Sequence, residues 1–579
     1  MLRLRVGFLL IAMVLSVFAA RLLQLQGLDS ESYAEMAAAE GAVTVVLPAE
    51  RGDILDRNGQ ALAQSVDGLM LVADPQMTRD QAPEIARFLS RQLDLDYFQT
   101  LTRLRKPDSR FQYLARQVPA AAVTEALEKA DTLGFKGLAS RNDPARDYPG
   151  GDVAANLVGF LGTPDPRKGT HPLAGFERTF NALLAGQDGS AKYQVSRGNR
   201  IPLAESTVVA PVDGRDLHTT IDRDLQWFAQ RVLRQTVEDA RGDSGLVVVQ
   251  DTRTGEVLAL ADHPTFDATR PLQSPKGDLG SRAMSDIYEP GSVEKVLTMA
   301  SLIDAGLVTP HTKILVPPEL HRQDRVIHDW FTHGYLRLTL AGVVAKSSNI
   351  GTVLAADKMA ARTLGDYLSS FGLGKVTDVG VAGEAAGLLP SGTALTPQTK
   401  DRIAFGQSLS VNALQMAAAV NTIANGGVYV APSLIQGSAR ARGGQVVGTD
   451  ETTTHRVVSR RAAHQTMLMM ERVVDPEAGV APGAAVPGYR VAGKTGTAQR
   501  VGEDGRYDGT FTVSFAGFAP ADDPRLTVYV VVQNPRNGGG GGSVSGPAFS
   551  RIMGYALRHY GIPPTGTQPS RLPVEWRPR

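Results

Sequence analysis

In Glu289-Pro290-Gly291-Ser292-Val293-Glu294-Lys295 an extended segment ends and a helical pattern begins. Pro290 and Gly291 break the chain. From Val293 the apolar residues Val296, Met299, Ala300 and Ile303 recur with helical spacing, and Gly306 is a natural stop. Ser292 is therefore expected at a helix N-terminus with Lys295 one turn on. Residues three apart share a helix face, so the amine can lie beside the hydroxyl. A serine hydroxyl is a poor nucleophile until a neighbouring base takes its proton. Alone, the tetrapeptide reads more readily as an N-cap serine followed by a surface lysine, because such tetrapeptides are common.

The chain has 579 residues, too many for one core, so two or three domains are expected. A net charge of +1 supplies no electrostatic reason to bind nucleic acid. There is no cysteine, which excludes disulfides and thiolate metal sites. Arg3 and Arg5 precede an uncharged run from Val6 to Ala20, and leucines continue beyond Arg21. Val17 and Ala19 would also suit a signal peptidase. The reading adopted is a retained anchor: Arg21 can snorkel while the leucines extend the helix. The basic tip then stays in the cytoplasm and the rest of the chain lies outside the membrane.

Up to about residue 240 the sequence is mixed and turn-rich, without the makings of a catalytic site. Arg51-Gly52-Asp53-Ile54-Leu55-Asp56-Arg57-Asn58-Gly59 reads as an extended segment closing in an Asn-Gly turn, and Pro164–Pro172 as a loop. From Gly245 the texture changes. Leu246–Val249 and Val257–Leu260 form a hairpin pattern, and Phe511–Phe518 and Leu526–Val532 read as two more strands. Strands at both ends with helices between predict an α+β domain whose sheet joins distant parts of the chain. The stretch after Pro563 is rich in proline and polar residues and reads as a loose tail.

Two further motifs give the Ser292 stretch its meaning. Ser347-Ser348-Asn349 follows the apolar run Leu338–Ala345. Lys494-Thr495-Gly496-Thr497 lies in an extended segment before the terminal strands. S-x-x-K, S-x-N and K-T-G in this order are the described signature of penicillin-binding proteins and class A β-lactamases.

On these motifs the chain resembles the class B penicillin-binding proteins, and most of all the septal peptidoglycan transpeptidases. Arg51–Gly59 is similar to that family's R-G-x-I-x-D-R-N-G signature. Phe371–Lys375, Gly383-Glu384, Gly406–Val411 and Asp504–Tyr507 also match. The resemblance implies a β-lactamase-like transpeptidase domain, an antiparallel sheet between helical layers, on an elongated pedestal. The expected divisions are a cytoplasmic tip and transmembrane anchor at 1–28, a non-catalytic pedestal of dimerisation-domain type at 29–240, the transpeptidase domain at 241–562 and a flexible tail at 563–579.

The chemistry so implied is acyl transfer from D-Ala-D-Ala stem peptides, with β-lactams as covalent inhibitors. Ser292 would attack and Lys295 would take its proton. Lowering a lysine from near 10.4 to about 7–8 costs roughly 4 kcal/mol of cation stabilisation. A dry cleft, the helix N-terminus and Lys494 as a second cation are the expected causes. Ser347 would relay a proton to the leaving amine, and Asn349 would hold the peptide's amide. Lys494, Thr495 and Thr497 would bind the terminal carboxylate, with Gly496 between them. The backbone N–H groups of Ser292 and Thr497 would form the oxyanion site. No cofactor or metal is required, and His321, His328 and His333 read as scattered surface residues. A membrane-embedded lipid-II polymerase and other division proteins are the partners the resemblance implies.

Three other readings compete. Gly488–Thr495 fits the P-loop pattern G-x-x-x-x-G-K-[ST], but lacks the flanking strand and helix a nucleotide site needs. A D,D-carboxypeptidase or β-lactamase would need a carboxylate to activate water. Glu294 is the near candidate, expected to face away from Lys295. A non-catalytic β-lactam sensor or division scaffold is the third. Two departures stand out. Val293-Glu294 replaces the family's usual Thr-Val. Asn537–Gly542, one asparagine and five glycines, stands where septal relatives place an aromatic pair, and predicts a mobile loop.

Overall fold

The computed structural model describes residues 2–24, 42–162, 170–196, 199–200, 207–323, 325–377, 379–502 and 504–578. Most of the expected Pro164–Pro172 loop and the last four residues of the expected 1–28 anchor lie outside them. Helix α1, Leu2–Leu23, contains a 19-residue stretch, Arg5–Leu23, of mean hydropathy 2.4, long and apolar enough to cross a membrane.

The remainder divides into two compact units. In the smaller one β1, Gly68–Ala73, is the central strand between β2, Gln112–Pro119, and β3, Leu138–Asn142. Helix α2, Ala82–Leu93, buries Ile85 and Leu89 in the same core as Leu71 and Leu114. Its apolar residues recur at helical spacing, so one face is covered and the other is wet.

The larger unit holds Gly52–Gln64, 146–184 and 215–579. The expected pedestal boundary at 240 is therefore corrected. Helix α3, Arg223–Asp239, belongs to the larger unit, because Leu225, Val232 and Leu233 are buried in its core. The Arg51–Gly59 signature is divided after Arg51. Its Asp56 is 1% exposed and accepts from the backbone N–H groups of Asn58 and Gln60, both at 2.8 Å, and of Arg223 at 3.2 Å. The signature's acid thus closes the Asn-Gly turn and caps α3.

The sheet of the larger unit has five strands. In chain order these are β4, Ser244–Asp251; β5, Val257–His263; β8, Ala492–Val501; β9, Tyr507–Ala519; and β10, Leu526–Gln533. Their spatial order is β5-β4-β10-β9-β8, antiparallel throughout. The K-T-G motif lies, as expected, in an extended segment before a strand pair: that segment is the edge strand β8, and β9 and β10 follow it. Every residue of β10 is buried, which explains an unbroken apolar run where a half-exposed strand would alternate. Helix α3 and the C-terminal helix α8, Gly541–His559, cover one face, and the rings of Phe228 and Tyr555 stack between them at 4.1 Å. The apolar helix Ala413–Ala424 and α4, Lys295–Asp304, are buried all round.

The expected loose tail is docked. The strands β6, Lys313–Val316, and β7, Leu336–Thr339, pair with each other, and Leu338 of β7 bridges Glu575. Thr339 N–H donates to Val574 O and Trp576 N–H donates to Arg337 O, both at 3.0 Å. The Trp576 ring receives the Lys313 amine over its face at 5.3 Å. Composition alone could not reveal this, because the tail's partners lie more than two hundred residues away in sequence. Deleting residues 573–579 should cost roughly 2–4 kcal/mol, from two backbone bonds and a packed indole. The expected outcome is a melting temperature lower by several degrees and faster amide exchange across residues 336–345; unchanged exchange there contradicts the docking.

Candidate active site

Ser292 lies in a 3₁₀ turn, Gly291–Val293, that runs into α4. The Gly406–Val411 stretch holds that turn from outside. Gly291 N–H donates to Gly406 O at 3.0 Å, and Tyr288 and Val411 exchange backbone bonds at 3.1 and 2.9 Å. The second motif joins two short helices, α5, Leu340–Lys346, and α6, Asn349–Ala356. Ser347 sits between them with φ +58°, a left-handed conformation that a residue with a Cβ adopts at a cost of about 1 kcal/mol. That kink aims both its carbonyl and its hydroxyl at the lysines.

Lys295 and Lys494 are both fully buried. The Lys295 amine donates to Ser347 O and to Asn349 Oδ1, each at 2.7 Å, and lies 3.5 Å from Ser347 Oγ. The Lys494 amine is 2.8 Å from Ser347 Oγ and also reaches Thr495 O and Oγ1 at 3.1 and 3.2 Å. Two amines from opposite ends of the domain thus meet on one hydroxyl. Gly496 lies between the K-T-G side chains because a Cβ there would overlap Ser514 Oγ and come within 3.0 Å of Pro290 O and Val293 Cγ2. Its bareness lets β8 close on the Ser292 turn. Ser292, Ser347, Asn349, Thr495 and Thr497 line one cavity of about 570 Å³.

Burial is the largest cause that moves the Lys295 amine down to about 7, against the pull of Asp329 and Glu294. Burial also pushes Lys494 well below its ordinary range, and the Lys295 charge lowers it further. Of the expected causes, the dry cleft is the largest one acting on Lys295, and Lys494 is not among the charges that move it. A neutral amine has two N–H donors, which Ser347 O and Asn349 Oδ1 occupy, leaving its lone pair to accept a proton.

Other expectations need revision. Among the described residues Ser292 Oγ makes no hydrogen bond, so the expected contact with the Lys295 amine is not made; such bonds often tighten only when substrate arrives. Asn349 Oδ1 accepts from the Lys295 amine and its Nδ2 donates to His328 O at 2.9 Å, so it anchors the base. Glu294 is fully buried. Its Oε1 accepts from Thr298 Oγ1 at 2.7 Å, and burial holds its carboxyl well above the usual range. The glycine run is not a loop throughout, since Gly541 and Gly542 form the first turn of α8. A Cβ on Gly541 would collide with Ser514 O. Lys494 and Thr495 lie within β8, with no helix after them to hold phosphates, which removes the P-loop reading.

Asp329 was missed. Its carboxylate accepts from Asn349 N at 2.5 Å, Ser348 Oγ at 2.7 Å and Ile350 N at 3.0 Å, so it holds the first N–H groups of α6 where the second motif ends. His333, 4% exposed at its side chain, pairs with it at 3.0 Å and is not a scattered surface residue. A helix opening on Ser-Asn calls for an acceptor, but nothing in the sequence singles out one acid among 59. Trp330 and Phe511, aromatic walls of the cavity, were missed as well.

A serine on a helix start, two buried lysines and a K-T-G edge strand of an antiparallel sheet define a serine acyltransferase. Residues 245–554 match the penicillin binding protein transpeptidase domain and residues 46–219 the penicillin-binding protein dimerisation domain. The chain belongs to the penicillin-binding protein transpeptidase family. It is 35% identical to the penicillin-binding protein PbpB of Mycolicibacterium smegmatis, over 96% of this chain and 90% of that protein. It is 33% identical to the peptidoglycan D,D-transpeptidase FtsI of Escherichia coli K12, over 89% and 84%. The crystal structure of penicillin binding protein 3 from Mycobacterium tuberculosis with aztreonam matches 92% of this chain and 100% of that one, at 30% identity and a TM-score of 0.70.

With Lys295 near 7, its neutral fraction grows as pH rises. The rate of β-lactam acylation should climb through pH ~7 and fall about tenfold per unit below pH ~6. Asp329 raises the Lys295 pKa, so Asp329→Asn should move that midpoint to lower pH while slowing acylation about ten- to a hundredfold. Stopped-flow acylation between pH 5 and 9 reads both; a slower variant with an unmoved midpoint assigns Asp329 a structural role only.

Proposed function

We propose that the chain is a septal peptidoglycan D,D-transpeptidase working through an acyl-enzyme on Ser292. Ser292 Oγ attacks the carbonyl of the terminal D-Ala-D-Ala bond and its proton passes to the neutral Lys295 amine. The oxyanion is held by the backbone N–H groups of Ser292 and Thr497. The terminal carboxylate lies against Thr495 and Thr497, and its arrival favours the protonated form of Lys494. Ser347, bonded to both amines, passes a proton to the leaving D-Ala. The amine of a neighbouring stem peptide then takes the acyl group and frees Ser292. The observation that carries this reading is the meeting of two fully buried amines on the Ser347 hydroxyl.

Glu294 argues against hydrolysis as the main outcome. Fully buried, bonded to Thr298 and pushed by burial toward its neutral form, it is not placed to activate water. In this reading α1 is a single-pass anchor in the inner membrane, with the catalytic unit in the periplasm. The region matched by the dimerisation model is the pedestal, and division proteins with a membrane-embedded lipid-II polymerase are its partners.

Replacing the nucleophile tests the chemistry. Ser292→Ala should lower labelling by a fluorescent penicillin at least a thousandfold, and peptide mapping of the wild type should find the label on residue 292; a labelled alanine variant overturns the assignment. Depletion in cells should give filaments, whereas round cells would assign an elongation role.

A further inference from the structure

Residues 328–333 clasp the second motif from outside. His328 O accepts from Asn349 Nδ2, and the Trp330 indole N–H donates to Lys346 O, both at 2.9 Å. Between these contacts stands Asp329. Its Oδ1 accepts from the backbone N–H groups of Asn349 and Ile350. Its Oδ2 accepts from Ser348 Oγ and faces His333 Nε2 at 3.0 Å. A carboxylate has about four lone-pair positions, and these four neighbours take them, so the geometry is that of the ionised acid. The side chain of Asp329 is 0% exposed.

A buried carboxylate calls for a cation. Among the described residues, Lys295 and His333 are basic side chains placed to supply it. Asn349 bridges Lys295 to Asp329, with its Oδ1 on the amine and its backbone N–H on the carboxylate. If Lys295 carried the charge, however, it could take no proton from Ser292. His333 has no such duty. Its Nε2 faces the Asp329 carboxylate and its Nδ1 faces Gly334 O at 2.5 Å. Both neighbours can only accept, so both bonds form together only when both ring nitrogens carry hydrogen. That form is the imidazolium. The Phe331 ring packs against it with centroids 5.0 Å apart. Asp329 is the ionisable group bonded to the ring, Lys295 of α4 is the charged group beyond it, and the start of α6 presents only the neutral Ser348, Asn349 and Ile350 to the carboxylate.

We propose that His333 is a positioning residue for the acylation step: its positive charge offsets that of Asp329 and leaves Lys295 to act as the neutral base. The inference rests on Lys295 being the base in the transpeptidase reading, and adds the group that keeps it so. With the imidazolium in place, the carboxylate's hold on a Lys295 proton is weakened. Without it, Asp329 favours the ammonium form, and the base is lost at a pH where the wild type still has it. Removing Asp329 acts in the opposite direction.

Stopped-flow acylation by a β-lactam between pH 5 and 9 reads the Lys295 midpoint. His333→Gln keeps an N–H donor for Asp329 and removes the charge. Its midpoint should rise by at least ~0.5 pH unit, which slows acylation about threefold on the acid side. Asp329→Asn lowers the midpoint, and adding His333→Gln to it should restore less than half of that rise. Protein made with the isosteric triazole analogue of histidine keeps the ring's shape without its charge; it should show the same rise, and it carries the test should the glutamine variant fail to fold. An unmoved or lowered midpoint, or an equal rise in the absence of Asp329, overturns the proposal. Wild-type protein that takes no β-lactam, or takes it without a pH midpoint, would instead overturn the reading of Lys295 as the base.

Discussion

Taking two lysine amines out of water in one place is the constraint on which the site depends. A buried ammonium is costly, and two within reach of one hydroxyl are costlier still. The protein resolves this by shedding protons, not by adding acids. Among the described residues the carboxylates that act on Lys295 are Glu294, itself pushed toward its neutral form, and Asp329, which is occupied with the N-terminus of α6. A lysine that is neutral at physiological pH is what a serine nucleophile needs. The packing that buries α4 on all sides is therefore the same packing that makes its first residue a base.

Most of the architecture around that constraint was legible in the sequence, for physical reasons. Strands buried on both faces read as unbroken apolar runs, and the start of the Ser292 helix reads from Pro-Gly-Ser. The three motifs were recognisable because their chemistry restricts residue types. Gly496 must be bare for β8 to approach Pro290 and Val293, and Ser347 must bear a hydroxyl that both amines reach.

What the sequence withheld was pairing between distant segments. Asp329 acts through contact with a helix start that follows a separate strand, and no local pattern ties the two. The docked C-terminus was hidden for the same reason, since a proline-rich stretch looks unstructured until its partner strand is known. Helix α3 was placed with the pedestal because the change in texture falls after it, whereas its buried face belongs to the sheet beyond.

The unpaired edge of β8 carries a hazard as well as a use. Any extended chain, including a second copy of the same protein or a partly folded neighbour, meets the same row of free backbone groups. Here a buried lysine points inward from that edge, and Trp330 on one wall and the α8 start on the other border the cleft. The groups that line the cleft thus stand beside the very strand that would otherwise invite indiscriminate pairing.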